Sequence, residues 1–452
     1  MTTTQKLQKK LSDSKSARWT VLFIVSFTTM WGYFLSDAMS PLMTMLEEQM
    51  HWSSSDFGTF NWAYGWLNVF LFMLVFGGII LDKFGVRFTG VGACVLMIIG
   101  AGIKYYAVEF ISPLEEAGTI FGLRTQVFIA CVGYAIFAMG IEICGITVTK
   151  AIAKWFKGKE LALAMGVQVA VARLGTAFAM IICPVIVKNF SMSTPLLFSL
   201  VLLIIGFLAY LVFCVMDKKL DAEGVKDESE EQFKASDIKL IITNKGFWLI
   251  ALLCLMFYSA VFPFMKYAAS LMENKYMVDG EIAGLIVSLI PLGNLIMTPI
   301  FGGIYDRKGK GATLMIIGSI LLTVVHLLFA MPILNVWWFA VIIMILLGVA
   351  FSLVPSALWP SVPKIIPEKQ LGSAYAVIFW VQNIGLSFVP LFIGIILEKF
   401  CTQGSRIGAD GQVSTLYDYT IPMIIFAVFG IIAIFISYML KKEDAKKGYG
   451  LE

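Results

Sequence analysis

The chain carries little charge for its size. Only 14% of its 452 residues are Asp, Glu, Lys or Arg and only two are histidine, while 59% are hydrophobic. A water-soluble protein of this length needs far more charged surface to stay dispersed, so the composition excludes that class and indicates an integral membrane protein. Glycine-rich phosphate loops, paired metal ligands and nucleophile–base–acid arrangements are also lacking. Neither nucleotide-driven pumping nor enzymatic chemistry is therefore expected, and no cofactor or metal is called for. The seven cysteines are scattered, mostly within apolar runs, without metal-type spacing, and read as small packing residues. The net charge of +4 comes largely from lysines in loops and tails; it reports orientation and does not suggest a nucleic-acid partner. The stretch from Met1 to Arg18 is polar and basic and lacks a small-residue cleavage site, so the first apolar run is expected to be a retained helix.

What the chain does have is a succession of continuous apolar runs. A bilayer core of roughly 30 Å takes about 20 apolar helical residues. Sheet barrels would show short alternating segments instead. The runs predict an all-α membrane protein with twelve spans, near 19–46, 57–81, 89–108, 125–149, 160–188 and 194–216, then 246–272, 282–305, 312–331, 336–358, 370–399 and 418–440. The expected organisation is an N-terminal tail (1–18), a six-helix bundle (19–216), a hydrophilic linker (217–245), a second six-helix bundle (246–440) and a C-terminal tail (441–452). With both termini and the even-to-odd loops inside, about 26 basic residues lie inside and about 5 outside, which places both termini in the cytoplasm.

The second span ends "GGIILDKFGVR" and the eighth "FGGIYDRKGKG". Both fit G-x-x-x-D-[KR]-x-G: Gly78, Asp82, Lys83 and Gly85 (followed by Arg87) are echoed in the second half by Gly302, Asp306, Arg307 and Gly309. The first glycine is expected to let two helices approach closely, the aspartate to cap a helix or pair with a base, and the last glycine to permit a sharp turn. Two copies at matching places predict two pseudo-symmetric halves around a central cleft. The pattern resembles the signature loop of the major facilitator superfamily, and the resemblance covers essentially all twelve spans. It implies alternating access around a midplane site, with these loops gating the transition and not touching substrate.

Apart from some charges at the very edges of the spans, six fall inside them. Lys104 and Lys188 lie near span ends and are expected to snorkel to the interface. Asp37, Glu142, Arg173 and Lys266 are deeper, where each would cost roughly 2.5–3.5 kcal/mol on an isolated helix in lipid. The depth of two of them follows from counting back from Lys154 to Glu142 and forward from Lys159 to Arg173. At about 1.5 Å per residue the two sit roughly 18 and 21 Å above that turn, near the midplane on neighbouring helices. The charges are equally able to neutralise each other or to stand as separate poles for a zwitterion. Arginine suits a carboxylate bidentately, and an ionised glutamate suits an ammonium. Asp37 adds a second carboxylate and Lys266 a base in the other half. Tyr33, Tyr64, Asn68, Gln168, Trp380, Gln382 and Asn383 are further polar or aromatic residues within spans. Any of them could line a peptide site, though each is individually more readily a helix contact. His326 reads as a packing histidine and His51 as exposed.

"WFKGKEL" with "MGVQVAVARLG", "VFPF" and "LWPSVPKIIPEKQLGSAYAVIFWVQNIGL" resemble the lysosomal dipeptide transporter group within that superfamily. The resemblance implies a secondary transporter for dipeptides or similar zwitterions, with Glu142 facing the amino terminus and Arg173 the carboxylate. It also implies a monomer acting as a facilitator (a uniporter); proton symport, with Asp37 and Glu142 exchanging protons as the cavity opens, is the alternative the residues allow. The rival expectations are an organic-anion or sugar-acid carrier using Arg173 and Lys266, and a non-transporting receptor or scaffold. No acidic dileucine sorting signal is present, and the single sequon at Asn189 is of a kind that arises by chance. The short tails point to a bacterial inner membrane (a lysosomal one if the chain is eukaryotic), where no accessory subunit is expected.

Overall fold

The computed structural model describes residues 11–114, 118–157, 159–222, 241–333, 335–367, 371–407 and 413–452. Most of the expected linker therefore lies outside the described residues. Apolar sequence in membrane-length runs satisfies its backbone internally, and the chain is nearly all helix. The first six spans comprise α1 (Lys15–Asp37) with α2 (Met43–Met50), then α3 (Ser54–Trp62), α4 (Gly65–Asn68), α5 (Met73–Phe110), α6 (Thr125–Trp155), α7 (Leu161–Asn189) and α8 (Thr194–Ala222). The last six are α9 (Lys245–Lys275), α10 (Gly280–Lys308), α11 (Gly311–Ala330), α12 (Trp337–Ile365), α13 (Leu371–Phe400) and α14 (Thr420–Lys447). Small antiparallel pairs, β1 (Thr119–Ile120) with β2 (Leu123–Arg124) and β3 (Thr402–Ile407) with β4 (Val413–Tyr417), lie between spans.

The second span departs from expectation. The single helix read over 57–81 is instead three pieces, α3, α4 and the start of α5, with Phe72 in the left-handed region (φ 52°) between the last two. Eleven helices among the described residues are long and apolar enough to cross a bilayer, and the interrupted span supplies the twelfth crossing. Broken helices survive in a membrane only where other groups take up the freed backbone. Here Ser387 Oγ donates to Trp62 O at 2.7 Å, and Trp380 Nε1 donates to Val69 O at 3.0 Å, both from α13.

Taking the face with both termini and both signature loops as inner, the halves join chiefly in their outer parts. Ser54 Oγ donates to Gly394 O at 3.0 Å, and Ser55 N to Glu398 at 3.0 Å. Lys188 pairs with Glu281 at 3.0 Å, from an exposed position at the outer end of α7, as expected for a snorkelling lysine. The β3–β4 hairpin bridges the same face: Thr415 N donates to Glu47 of α2 at 3.0 Å, and Tyr417 N to Asn274 of α9 at 3.0 Å. The two halves are thus tied together at the outer face.

At the inner face the final glycines of both signature loops turn the chain with positive φ, 76° at Gly85 and 65° at Gly309, as expected. Asp82 pairs with Lys150 at 2.7 Å, and Arg87 with Asp221 at 2.8 Å. The expectation of close helix approach at Gly78 and Gly302 is not met in this conformation: a side-chain carbon placed on either would touch nothing within 4 Å. Lys83, Asp306 and Arg307 are exposed.

Gly284 at this outer junction is packed so closely that a β-carbon there would lie 2.2 Å from Met180 O. Gly284→Val is therefore expected to push α7 and α10 apart and populate an outward-open form. Double electron–electron resonance between labels replacing Phe190 and Met277 checks this. A longer distance than in the parent is expected.

Candidate functional site

Four helices carry the deep charges: α1 (Asp37), α6 (Glu142), α7 (Arg173) and α9 (Lys266). Each of these residues remains partly exposed within the bundle. They do not form one undivided cluster. Asp37 is taken up by a cross-half pair: its Oδ1 receives Lys266 Nζ at 2.7 Å, and its Oδ2 receives Thr176 Oγ1 at 2.8 Å. Lys266 also donates to Ser36 O at 3.1 Å, one of the carbonyls left open where α1 ends. Both were expected to be available to a solute; in this conformation both are occupied by each other. Thr176 lies three residues after Arg173, one turn along the same helix face, and that spacing was a usable signal.

Glu142 and Arg173 stand apart. The Glu142 carboxylate accepts the Tyr64 hydroxyl at 2.6 Å, and the Asn383 amide of α13 interacts with it from the other half. Among the described residues no ion pair reaches the Arg173 guanidinium. It lies instead over aromatic rings, 5.1 Å from the centroid of Phe262, 5.5 Å from Phe351 and 5.7 Å from Tyr33. Such contacts hold a cation in place while leaving its in-plane N–H donors unspent. Tyr33 of α1 lies within the fields of Arg173, Glu142 and Asp37 together. Behind Phe262 the aromatic wall continues through Tyr258 (5.4 Å between centroids) to Trp359, whose Nε1 donates to Tyr258 Oη at 3.0 Å. Sequence reasoning missed this wall. "VFPF" placed Phe262 one turn from Lys266, but nothing local pointed to Phe351 or Trp359.

The remaining candidates divide. Tyr64 and Asn383 meet Glu142, and Asn68 lies one turn beyond Tyr64 in the broken second span. Trp380 closes that break and stacks on Phe72 at 5.3 Å. Gln382 turns toward Cys254 of α9, whose Sγ lies 3.7 Å from its Oε1. Gln168 is buried, His326 is buried against Ala260 O at 3.0 Å, and His51 is exposed, the histidines as expected. Lys104 corrects its expectation. It does not snorkel but is 1% exposed, with its ammonium 4.5 Å from the Tyr134 ring centroid and 5.1 Å from that of Phe60. Its Nζ donates to Leu35 O at 3.4 Å, the carbonyl before the one held by Lys266. Two lysines thus cap the C-terminal end of α1, where the helix dipole is negative.

A twelve-span bundle with opposite charges held apart deep inside it is the arrangement of a multi-pass membrane transporter. The chain belongs to the Major Facilitator Superfamily, whose model matches residues 22–390 and 264–450. It is 27% identical over 400 residues to the human lysosomal dipeptide transporter MFSD1, covering 84% of this chain and 80% of that protein. The zebrafish (Danio rerio) protein of the same name is 29% identical over 389 residues, with the same coverage. Among solved structures it resembles the nucleoside transporter NupG (TM-score 0.68, 16% identity, 93% and 99% of the two chains). It also resembles a bacterial homologue of the human lysosomal transporter Spinster, in an inward-facing and unoccupied conformation (TM-score 0.70, 13% identity, 96% and 98%). At those identities the two structures show the fold alone.

The Asp37–Lys266 pair gives a stability test. Lys266→Met leaves Asp37 without its cation inside the bundle, and a loss toward the low end of about 3–5 kcal/mol is expected, read as a lowered melting temperature in detergent. Adding Asp37→Asn to that variant is expected to restore most of the loss.

Proposed function

We propose that this protein is a secondary transporter of dipeptides or similar small zwitterions, binding them between its halves. Glu142 would face the amino terminus and Arg173 the carboxylate. The observation that carries this reading is the separation of those two groups: among the described residues, the guanidinium is cradled by rings and meets no carboxylate, and the carboxylate is met by neutral partners. The 27–29% identity to lysosomal dipeptide transporters supports the substrate class. Tyr33 would bridge the two poles, and Tyr64, Asn68 and Asn383 would border the amino end. Trp380 and Gln382, occupied in helix contacts, would border the site without gripping the solute. Asp37 and Lys266 would act as an outer latch in this conformation and become available when the halves part. That pairing weighs against an organic-anion or sugar-acid carrier, because Lys266 is already neutralised. A non-transporting receptor or scaffold has no feature here that favours it. The signature loops from Gly78 to Arg87 and from Gly302 to Gly309 would gate the transition.

The protein would work as a monomer without an accessory subunit, both termini in the cytoplasm, in a bacterial inner membrane or, in a eukaryote, a lysosomal one. Facilitated transport is the reading adopted, since Asp37 is already occupied by its contacts with Lys266 and Thr176. Steady-state accumulation in proteoliposomes is then expected to be the same with and without an imposed proton gradient; gradient-driven accumulation would show coupling.

With both ends of the solute anchored, the side chains between should matter little. Free dipeptides are expected to raise the melting temperature of the purified protein, and forms blocked at either end are not. Equal shifts from free and blocked forms would refute the reading. Arg173→Ala is expected to abolish the shift while the variant itself still melts cooperatively.

A further inference from the structure

Asn68 of α4 and Asn383 of α13 are 1% and 2% exposed. Each donates its Nδ2 to the carbonyl four residues earlier, at 3.3 Å to Tyr64 O and 2.9 Å to Phe379 O. Those bonds fix which amide atom is which, because turning either group over would set oxygen against oxygen. They also leave each Oδ1 buried with no donor among the described residues. Buried acceptors are seldom left bare, so these two call for a specific reason.

Their location supplies one. Asn68 lies one turn beyond Tyr64, whose hydroxyl is 2.6 Å from Glu142. Asn383 interacts with the same carboxylate from the other half. Trp380, one turn before Asn383, is tied at 3.0 Å to the carbonyl of Val69, the residue after Asn68. Two amide oxygens without donors therefore lie on the segments that meet at the break in the second span, one of them a turn from the tyrosine that holds the Glu142 carboxylate. The set is rich in acceptors, and its complement is a cation with several N–H bonds. A primary ammonium has three, arranged as a tripod.

We infer that Glu142, Asn68 Oδ1 and Asn383 Oδ1 form a three-acceptor pocket that selects a primary ammonium by the number of its N–H donors and not by charge alone. This rests on the dipeptide reading and extends it from a pole of charge to a count of hydrogen bonds. Since Asn383 comes from the opposite half, an ammonium held by all three groups bridges the halves.

The test is competition binding to the purified full-length protein with alanylalanine and its N-methyl, N,N-dimethyl and N,N,N-trimethyl forms. All four keep the positive charge but offer three, two, one and no N–H donors. Affinity in the wild type is expected to fall by roughly fivefold to tenfold for each donor removed, the effect of leaving one buried acceptor unmet. In Asn383→Leu, which removes the acceptor while keeping the volume, the free form is expected to weaken and the first methylation step to shrink below about threefold, as coupling between the two changes requires. Four forms binding alike to the wild type would overturn the pocket and leave the two-terminus reading standing. A methylation step undiminished in Asn383→Leu would remove Asn383 from the pocket. N-acetylalanylalanine binding as tightly as the free form would overturn the dipeptide reading itself. Should the variant fail to fold, the wild-type series alone decides.

Discussion

A guanidinium and a carboxylate share one membrane-embedded space without touching, and the proposed site depends on their being kept apart. Left to themselves, opposite charges in a low-dielectric interior would collapse together, since their attraction grows as water is excluded. Two devices prevent this. Aromatic faces from both halves, Tyr33 on one side and Phe262 and Phe351 on the other, give Arg173 a favourable seat that uses its π-face and not its donors. Glu142 is meanwhile engaged by neutral groups, the Tyr64 hydroxyl and the Asn383 amide, which hold it without cancelling its charge.

The other deep charges serve a different end. Asp37 and Lys266 meet across the halves at 2.7 Å, and their pairing is backed by Thr176 and by the open carbonyls where α1 stops. Lys104, from the same half as Asp37, occupies the neighbouring carbonyl under a canopy of rings. The interior thus holds two charge systems of unlike character, one closed and structural in this conformation, the other left with unspent bonding capacity. Hydrophobicity alone could not make that distinction, because it depends on which helix faces which.

How far the sequence announced this can be judged residue by residue. The twelve crossings and the doubled signature loop were legible, because hydropathy and a motif recurring from Gly78 to Gly302 are properties of the string. The nearness of Glu142 and Arg173 to a common neighbour, Tyr33, agrees with the shared depth expected from the rise of a helix. The pairing of Asp37 with Lys266 was not legible, since nothing local brings together residues so distant in the chain and in different halves. Lys104 was misjudged for a similar reason: distance along a helix says how near a side chain is to the interface, but not that aromatic rings surround it. The interruption at Tyr64–Phe72 escaped because "YGWLNVFLF", apart from Asn68, continues the apolar run without a proline or a charge to mark a break. Only the side chains of α13 reveal which backbone groups have left the helix.

That interruption makes the second crossing something other than a rigid rod. Its outer piece, α3, is fastened to α13 through Ser54, while its inner piece continues into the first signature loop. Between them lie a single short turn and a left-handed residue at Phe72, so no continuous ladder of helical hydrogen bonds joins the two arms. Each arm is instead fastened to α13 by its own contact, the outer through Ser54 and the inner edge of the break through Trp380.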